Sequence, residues 1–140
     1  MLRIIGLVIY LVMAVKISLS DLRSRLIKNR DLLHFLILTL SIHVWGYGLE
    51  DLKSLAYVSL VCLAFHLLFL GKIGAGDLKL FWVLSFWTTG LFQWLSGMSL
   101  AWILGGVFAI VFSIYTHLRG ARVFSIPFAP FIFLAFIPVI

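Results

Sequence analysis

The chain has 140 residues, 64% of them hydrophobic and 16% aromatic, and only 11% are charged, less than half the roughly 25% of an average soluble protein. That balance admits one domain and excludes an ordinary soluble core; the chain reads as integral to a membrane. The formal net charge of +6 fits positive charge collected on cytoplasmic loops, and with no long basic run it does not call for a nucleic-acid partner.

Six apolar segments follow one another, each near the ~20 residues a helix needs to cross a bilayer. They cover residues 2–19, 32–49, 55–70, 78–95, 98–117 and 123–140. Backbone groups in hydrocarbon must be satisfied internally, and no alternating polarity suggests a barrel. The expected fold is therefore all-α: a polytopic integral membrane protein of about six transmembrane helices forming a single domain. The first segment follows Met1-Leu2-Arg3, lacks a small-x-small cleavage site, and has its heavier positive charge after it, so it reads as a retained span and not a cleaved leader.

The loops set orientation. The odd loops hold Arg23, Arg25, Lys28, Arg30, Lys72, Lys79, Arg119 and Arg122, whereas Glu50, Asp51 and Lys53 lie in the second loop and the fourth, around Ser96-Gly97-Met98, is uncharged. The positive-inside rule places the odd loops in the cytoplasm and both termini outside, with Lys16 snorkelling to the cytoplasmic interface.

This topology brings two of the five acidic residues to one face. Asp21 ends the first span and Asp77 opens the fourth. A carboxylate in or beside hydrocarbon costs roughly 2.5–3.5 kcal/mol on insertion scales, so two at like depth call for a reason. Local reasons exist for each alone: Asp77 as an N-cap before Leu78, and Asp21 as an interfacial charge beside Arg23 or Arg25. Asp31 reads as an N-cap of the second span, and Lys79 as an interfacial lysine. Gly74 and Gly76 before Asp77 let another chain approach closely.

Taken together, Gly74-Ala75-Gly76-Asp77-Leu78-Lys79 resembles the G-x-G-D-x-K motif of the aspartic prepilin peptidases, which process type IV prepilins and preflagellins. Asp21 with Ile27 and Asn29 is similar to that family's first motif, an aspartate followed by five residues and then Ile-Pro-Asn, with Lys28 in place of the proline. Ile126-Pro127-Phe128-Ala129-Pro130-Phe131 resembles its Pro-Phe-Gly-Pro stretch, with Ala129 in place of the glycine. The four-cysteine loop of longer, bifunctional members is missing, so the chain looks like the short, peptidase-only form associated with tight-adherence (Flp-type) pili.

The resemblance implies Asp21 and Asp77 as the catalytic pair, with Gly74, Gly76, Lys79, Ile27 and Asn29 as supporting motif residues. It also implies a bacterial inner-membrane location and a prepilin-like substrate: a short basic leader, a glycine before the cleaved bond, and then an apolar helix that packs laterally in the bilayer. Arg23 and Arg25 are candidates to attract substrate. Two close carboxylates cannot both ionise cheaply, so one accepts a proton from water while the other donates one.

Neither a metal nor a cofactor is expected. His34, His43, His66 and His117 form no H-E-x-x-H pattern, and the single cysteine, Cys62, excludes an internal disulfide and a paired-cysteine zinc site. The serines have no plausible His/Asp partner spacing. Trp45, Trp82, Trp87, Trp94 and Trp102 lie partly near span ends, as interface-seeking aromatics do. The competing reading is a small transporter or assembly subunit whose two aspartates bind protons or cations; it fits less well, because carriers place their acids near mid-membrane, often on broken helices in related halves.

Overall fold

A computed structural model describes residues 2–46, 52–69, 73–119 and 126–137. Six α-helices and one 3-10 turn make up its regular structure: α1 (Leu2–Ser24), α2 (Asn29–Gly46), α3 (Leu52–Leu68), α4 (Ala75–Leu84), the turn Ser85–Trp87, α5 (Leu91–Leu118) and α6 (Ala129–Phe136). No strand occurs among the described residues. Among the described residues two helices are long and apolar enough to cross a membrane, Ile4–Ser24 within α1 and Leu91–Leu118; Ser54–Leu68 is apolar but shorter. The second-loop acids Glu50 and Asp51, the basic residues Lys72 and Arg122, and the expected span ends at residues 49, 70, 123 and 140 lie outside the described residues, as do the side chains of His43, Trp45 and Lys53.

The expected fourth and fifth spans are drawn differently by the structure. The run 78–95 is not one helix. α4 stops at Leu84 after ten residues, the chain tightens into Ser85–Trp87, and Thr88 is extended. α5 begins at Leu91, so Ser96-Gly97-Met98, expected as a loop, lies inside a helix of 28 residues, about 42 Å long at 1.5 Å per residue. Local hydrogen bonding accounts for the break. The Ser85 hydroxyl donates back to the Trp82 carbonyl (2.7 Å) and the Thr88 hydroxyl to the Ser85 carbonyl (2.9 Å). Gln93 Oε1 then accepts from the Thr89 N–H (2.7 Å) and hydroxyl (2.6 Å), a side chain reaching back from the first turn as in a capping box.

The interior is aromatic. Tyr10, Phe35, Trp87 and Phe133 pack edge-on and stacked at centroid separations of 5.5–6.4 Å. Three tryptophans make hydrogen-bonded ties: Trp82 donates to Ser59 Oγ (2.9 Å), Trp87 to Thr39 Oγ1 (3.1 Å), and the fully buried Trp94 to the Phe81 carbonyl (2.8 Å). Each indole N–H thereby finds an acceptor on another element. The outer surface is apolar as well: Val12, Val15, Ile103, Val107, Ile110 and Ile114 are all more than half exposed. Soluble monomers rarely present so much contiguous apolar surface; a lipid-facing bundle requires it.

α6 lies antiparallel along α5. Phe136 sits over Gly97 and Phe128 over Gly105, with Ala101 fully buried between them. Small residues at a spacing of four let helices approach closely where lipid removes the ordinary hydrophobic drive. Packing against α1, α4 and α5, α6 is thereby held with its N-terminus at the end of the bundle where α1 finishes.

Candidate active site

α1 runs helically past Asp21 and closes at Arg25, whose φ of 53° is left-handed. The Arg25 N–H donates to the Asp21 carbonyl (2.7 Å), and the Ser24 hydroxyl donates to the Ser20 carbonyl (2.7 Å). This closure turns the chain into α2, whose Asp31 and Leu32 N–H groups donate to the Lys28 carbonyl. Asp31 therefore does not cap α2. It lies inside the first turn, is 4% exposed, and its Oδ1 pairs with Lys16 Nζ of α1 at 2.9 Å. The Lys16 ammonium holds the Asp31 carboxyl below the usual range; the pair ties α1 to α2 one to two turns from Asp21.

Asp77 is likewise not the cap of its helix. Gly74 is the N-cap, with extended backbone (φ −62°, ψ 126°), and no side chain caps it. The Asp77 N–H donates to the Gly74 carbonyl at 3.0 Å, so Asp77 stands in the first turn with its carboxylate folded back over Gly74. A Cβ built on Gly74 would lie 2.8 Å from Asp77 Oδ2. Gly74 thus leaves the space that the carboxylate occupies.

The structure brings the two motif segments together at two points. Gly76 packs on Ile27, where a Cβ would stand 3.0 Å from the Ile27 Cβ. Lys79 Nζ donates to Asn29 Oδ1 at 3.0 Å across fifty residues of sequence. Asp21 is 6% exposed and Asp77 half-buried; burial first, and then the negative charge of Asp21, push the Asp77 carboxyl up to about 6. Arg23 and Arg25 are exposed at the rim. Among the described residues no group of three His, Cys, Asp or Glu side chains stands where it could hold a metal.

One contact is absent from the sequence reading. The Ala129 N–H, first in α6, donates to Asp21 Oδ2 at 2.9 Å in a buried setting. Pro130, next in line, has no N–H to offer. The only sequence sign was the pair of prolines around a helix start, because backbone donors carry no side-chain signature. Ala129 is fully buried at the position where the resemblance expects glycine, so the alanine methyl is accommodated while the N–H stays available.

Two segments that each carry one aspartate are thus joined by a glycine contact and a Lys–Asn bond. The model of the type IV leader peptidase family matches residues 7–116. The chain belongs to that family. Both motif segments fall inside the matched region, and the α6 stretch lies beyond it. Neither a curated protein nor a solved structure matches the chain. Leader peptidases of this family are aspartic-type prepilin peptidases, and the chain is a hydrolase of that class.

Proposed function

We propose that this leader peptidase cuts type IV prepilin-like proteins at the cytoplasmic face of the bacterial inner membrane, with Asp21 and Asp77 as its hydrolytic pair. The observation that carries the reading is the meeting of the two aspartate-bearing segments, Gly76 on Ile27 and Lys79 on Asn29, with the charge of Asp21 adding to burial in raising the Asp77 carboxyl. In this account a water lies between them and the scissile carbonyl. One carboxylate takes a proton from water, whose oxygen bonds to the carbonyl carbon. The other gives its proton to the carbonyl oxygen; as the C–N bond breaks, the leaving nitrogen takes the proton that the first carboxylate drew from water, and the collapsing hydroxyl returns a proton to the second. Asp77, with its raised pKa, is the better holder of the shared proton at rest, although the pair titrates as a unit. Gly74, Gly76, Ile27, Asn29 and Lys79 act by keeping the two segments in register.

The bundle is proposed to be polytopic with six membrane helices, both termini outside. α1 and α5 cross fully, while the shorter α4 and α6 pack between neighbours instead of spanning alone. The substrate's apolar helix docks laterally, with its basic leader and cleavage-site glycine at the interface near Arg23 and Arg25. The missing cysteine loop argues for peptidase activity without N-methylation, as in tight-adherence systems.

The test is to incubate the purified protein with a candidate prepilin and read the new N-terminus by mass spectrometry. Cleavage is expected after the leader glycine, with Asp21→Asn and Asp77→Asn each inactive though inserted. Cleavage surviving either change removes the pair; proton or cation flux that disappears in these variants, with no cleavage in the parent, moves the reading to a carrier.

A further inference from the structure

The Ala129–Asp21 bond joins the end of α6 to the centre, and everything around it fixes that end in place. α6 begins at Ala129, and its Phe128 N-cap residue has no side-chain cap bond. Pro130 presents no N–H, so of the first two helical positions only Ala129 has one to give, and it goes to Asp21 Oδ2. The helix dipole adds a partial positive charge at that end. Phe128 is seated in the space left by Gly105: a Cβ there would overlap the Phe128 ring, and the ring is wedged against Phe81 and Phe131 at centroid distances of 6.4 Å each. One turn further along, the buried Tyr10 hydroxyl of α1 donates to the Phe133 carbonyl at 2.6 Å. α6 is thus fastened to α1, the helix that carries Asp21, at two places, and its start is set by α5.

We infer that the start of α6 is a third, backbone component of the centre: the Ala129 N–H, set by Phe128 on Gly105 and by the Tyr10–Phe133 latch, holds Asp21 Oδ2 and so presents Oδ1 to water and to Asp77. The inference rests on the reading of Asp21 as half of the hydrolytic pair. Phe128, Gly105 and Tyr10 are positioning residues, acting through Asp21 and touching no substrate. A carboxylate displaced by a fraction of an ångström from its attack geometry loses rate more than binding, because a misplacement of about 1 Å costs on the order of 100-fold.

The experiment measures prepilin cleavage kinetics of the full chain carrying Gly105→Ala, Phe128→Leu, Gly105→Ala with Phe128→Leu, Tyr10→Phe and Asp21→Asn, with thermal midpoints recorded alongside. Gly105→Ala is expected to lower kcat by about 10-fold or more with KM within about twofold, and the added Phe128→Leu, which removes the overlapping ring, restores kcat to the level of Phe128→Leu alone. Tyr10→Phe lowers kcat by a smaller factor, again at unchanged KM. Should Gly105→Ala fail to fold, the double variant and Tyr10→Phe carry the same comparison. The inference is overturned if Gly105→Ala and Tyr10→Phe keep the parent kcat while Asp21→Asn is inactive, or if the loss is in KM alone, or if the smaller residue at 128 brings no recovery. Cleavage persisting in Asp21→Asn instead refutes the underlying pair, a separate and recognisable result.

Discussion

Gly74→Ala separates chemistry from stability at a single position. The Gly74 backbone (φ −62°, ψ 126°) is ordinary for any L-residue, so alanine introduces no strain there and restricts the unfolded chain, which by itself stabilises by about 0.4–1 kcal/mol. Gly74 is also exposed, and no core packing is disturbed. The new methyl, however, would stand 2.8 Å from Asp77 Oδ2, which must retreat about 0.6 Å to reach an ordinary contact of 3.4 Å. Turning the carboxyl away from its rotamer by about 30° costs roughly 0.5–1.5 kcal/mol, comparable to the entropic gain, so the thermal midpoint should barely move. The rate should fall steeply, by about 10- to 100-fold, since the displaced group is half of the pair. The assay is initial cleavage rate against prepilin concentration, together with a melting curve in the same detergent. Parent-like kcat with an unchanged midpoint would falsify the placement of Asp77 as a reacting group. A large drop in the midpoint would show that Gly74 serves the fold instead.

Three further outcomes follow from the same geometry. Lys79→Met removes the bond to Asn29 and should slow cleavage several-fold with a stability loss of about 1 kcal/mol; Asn29→Asp, which keeps an acceptor for Lys79, should retain the parent midpoint in a melting curve. Asp77→Asn, though inactive, should be more heat-stable than the parent at pH 8. Because the folded carboxyl titrates near 6 and its ordinary value is 3.8, protonation favours the folded state: the parent loses stability as pH rises through that window, and the advantage of the variant should vanish below pH 3.8, as melting at pH 3.5, 6 and 8 will show. Lys16→Met leaves the buried Asp31 carboxylate without its cation and should cost about 1–3 kcal/mol at neutral pH. Here the folded carboxyl is depressed, so that stabilisation is present above its ordinary value of 3.8 and is lost on acidification. Lys16→Met combined with Asp31→Leu should recover most of the loss.

The two motif segments were legible because their chemistry is local: glycines before an aspartate, and an aspartate followed at fixed spacing by Ile27 and Asn29. Their contact could be anticipated only by bringing both to one membrane face from the charge of the loops. The structure adds what the reading could not contain, that Ile27 packs on Gly76 and Lys79 bonds Asn29. The helix break after Leu84 was hidden because the apolar run continues through Phe86 and Trp87, and average hydropathy says nothing of which carbonyls Ser85 and Thr88 will engage. Thr89-Gly90 with Gln93 three residues beyond the glycine is the local signal that marks the start of α5. Asp31 misled for a different reason. Its position before an apolar run suits a cap, while its actual partner, Lys16, lies fifteen residues earlier on another helix and has an adequate local explanation of its own. The contact of α6 with Asp21 was invisible because a backbone N–H makes it.

The central claim, that Asp21 and Asp77 serve one hydrolytic centre at one face of the membrane, is tested most directly by labelling. In a chain carrying Cys62→Ala, Asp21→Cys and Asp77→Cys are introduced one at a time and treated with a membrane-impermeant thiol reagent in sealed right-side-out and inside-out vesicles. Both positions should react only in inside-out vesicles, where the cytoplasmic face is presented. Reaction of one position from each side would place the two carboxylates in different compartments, and no shared water could then lie between them.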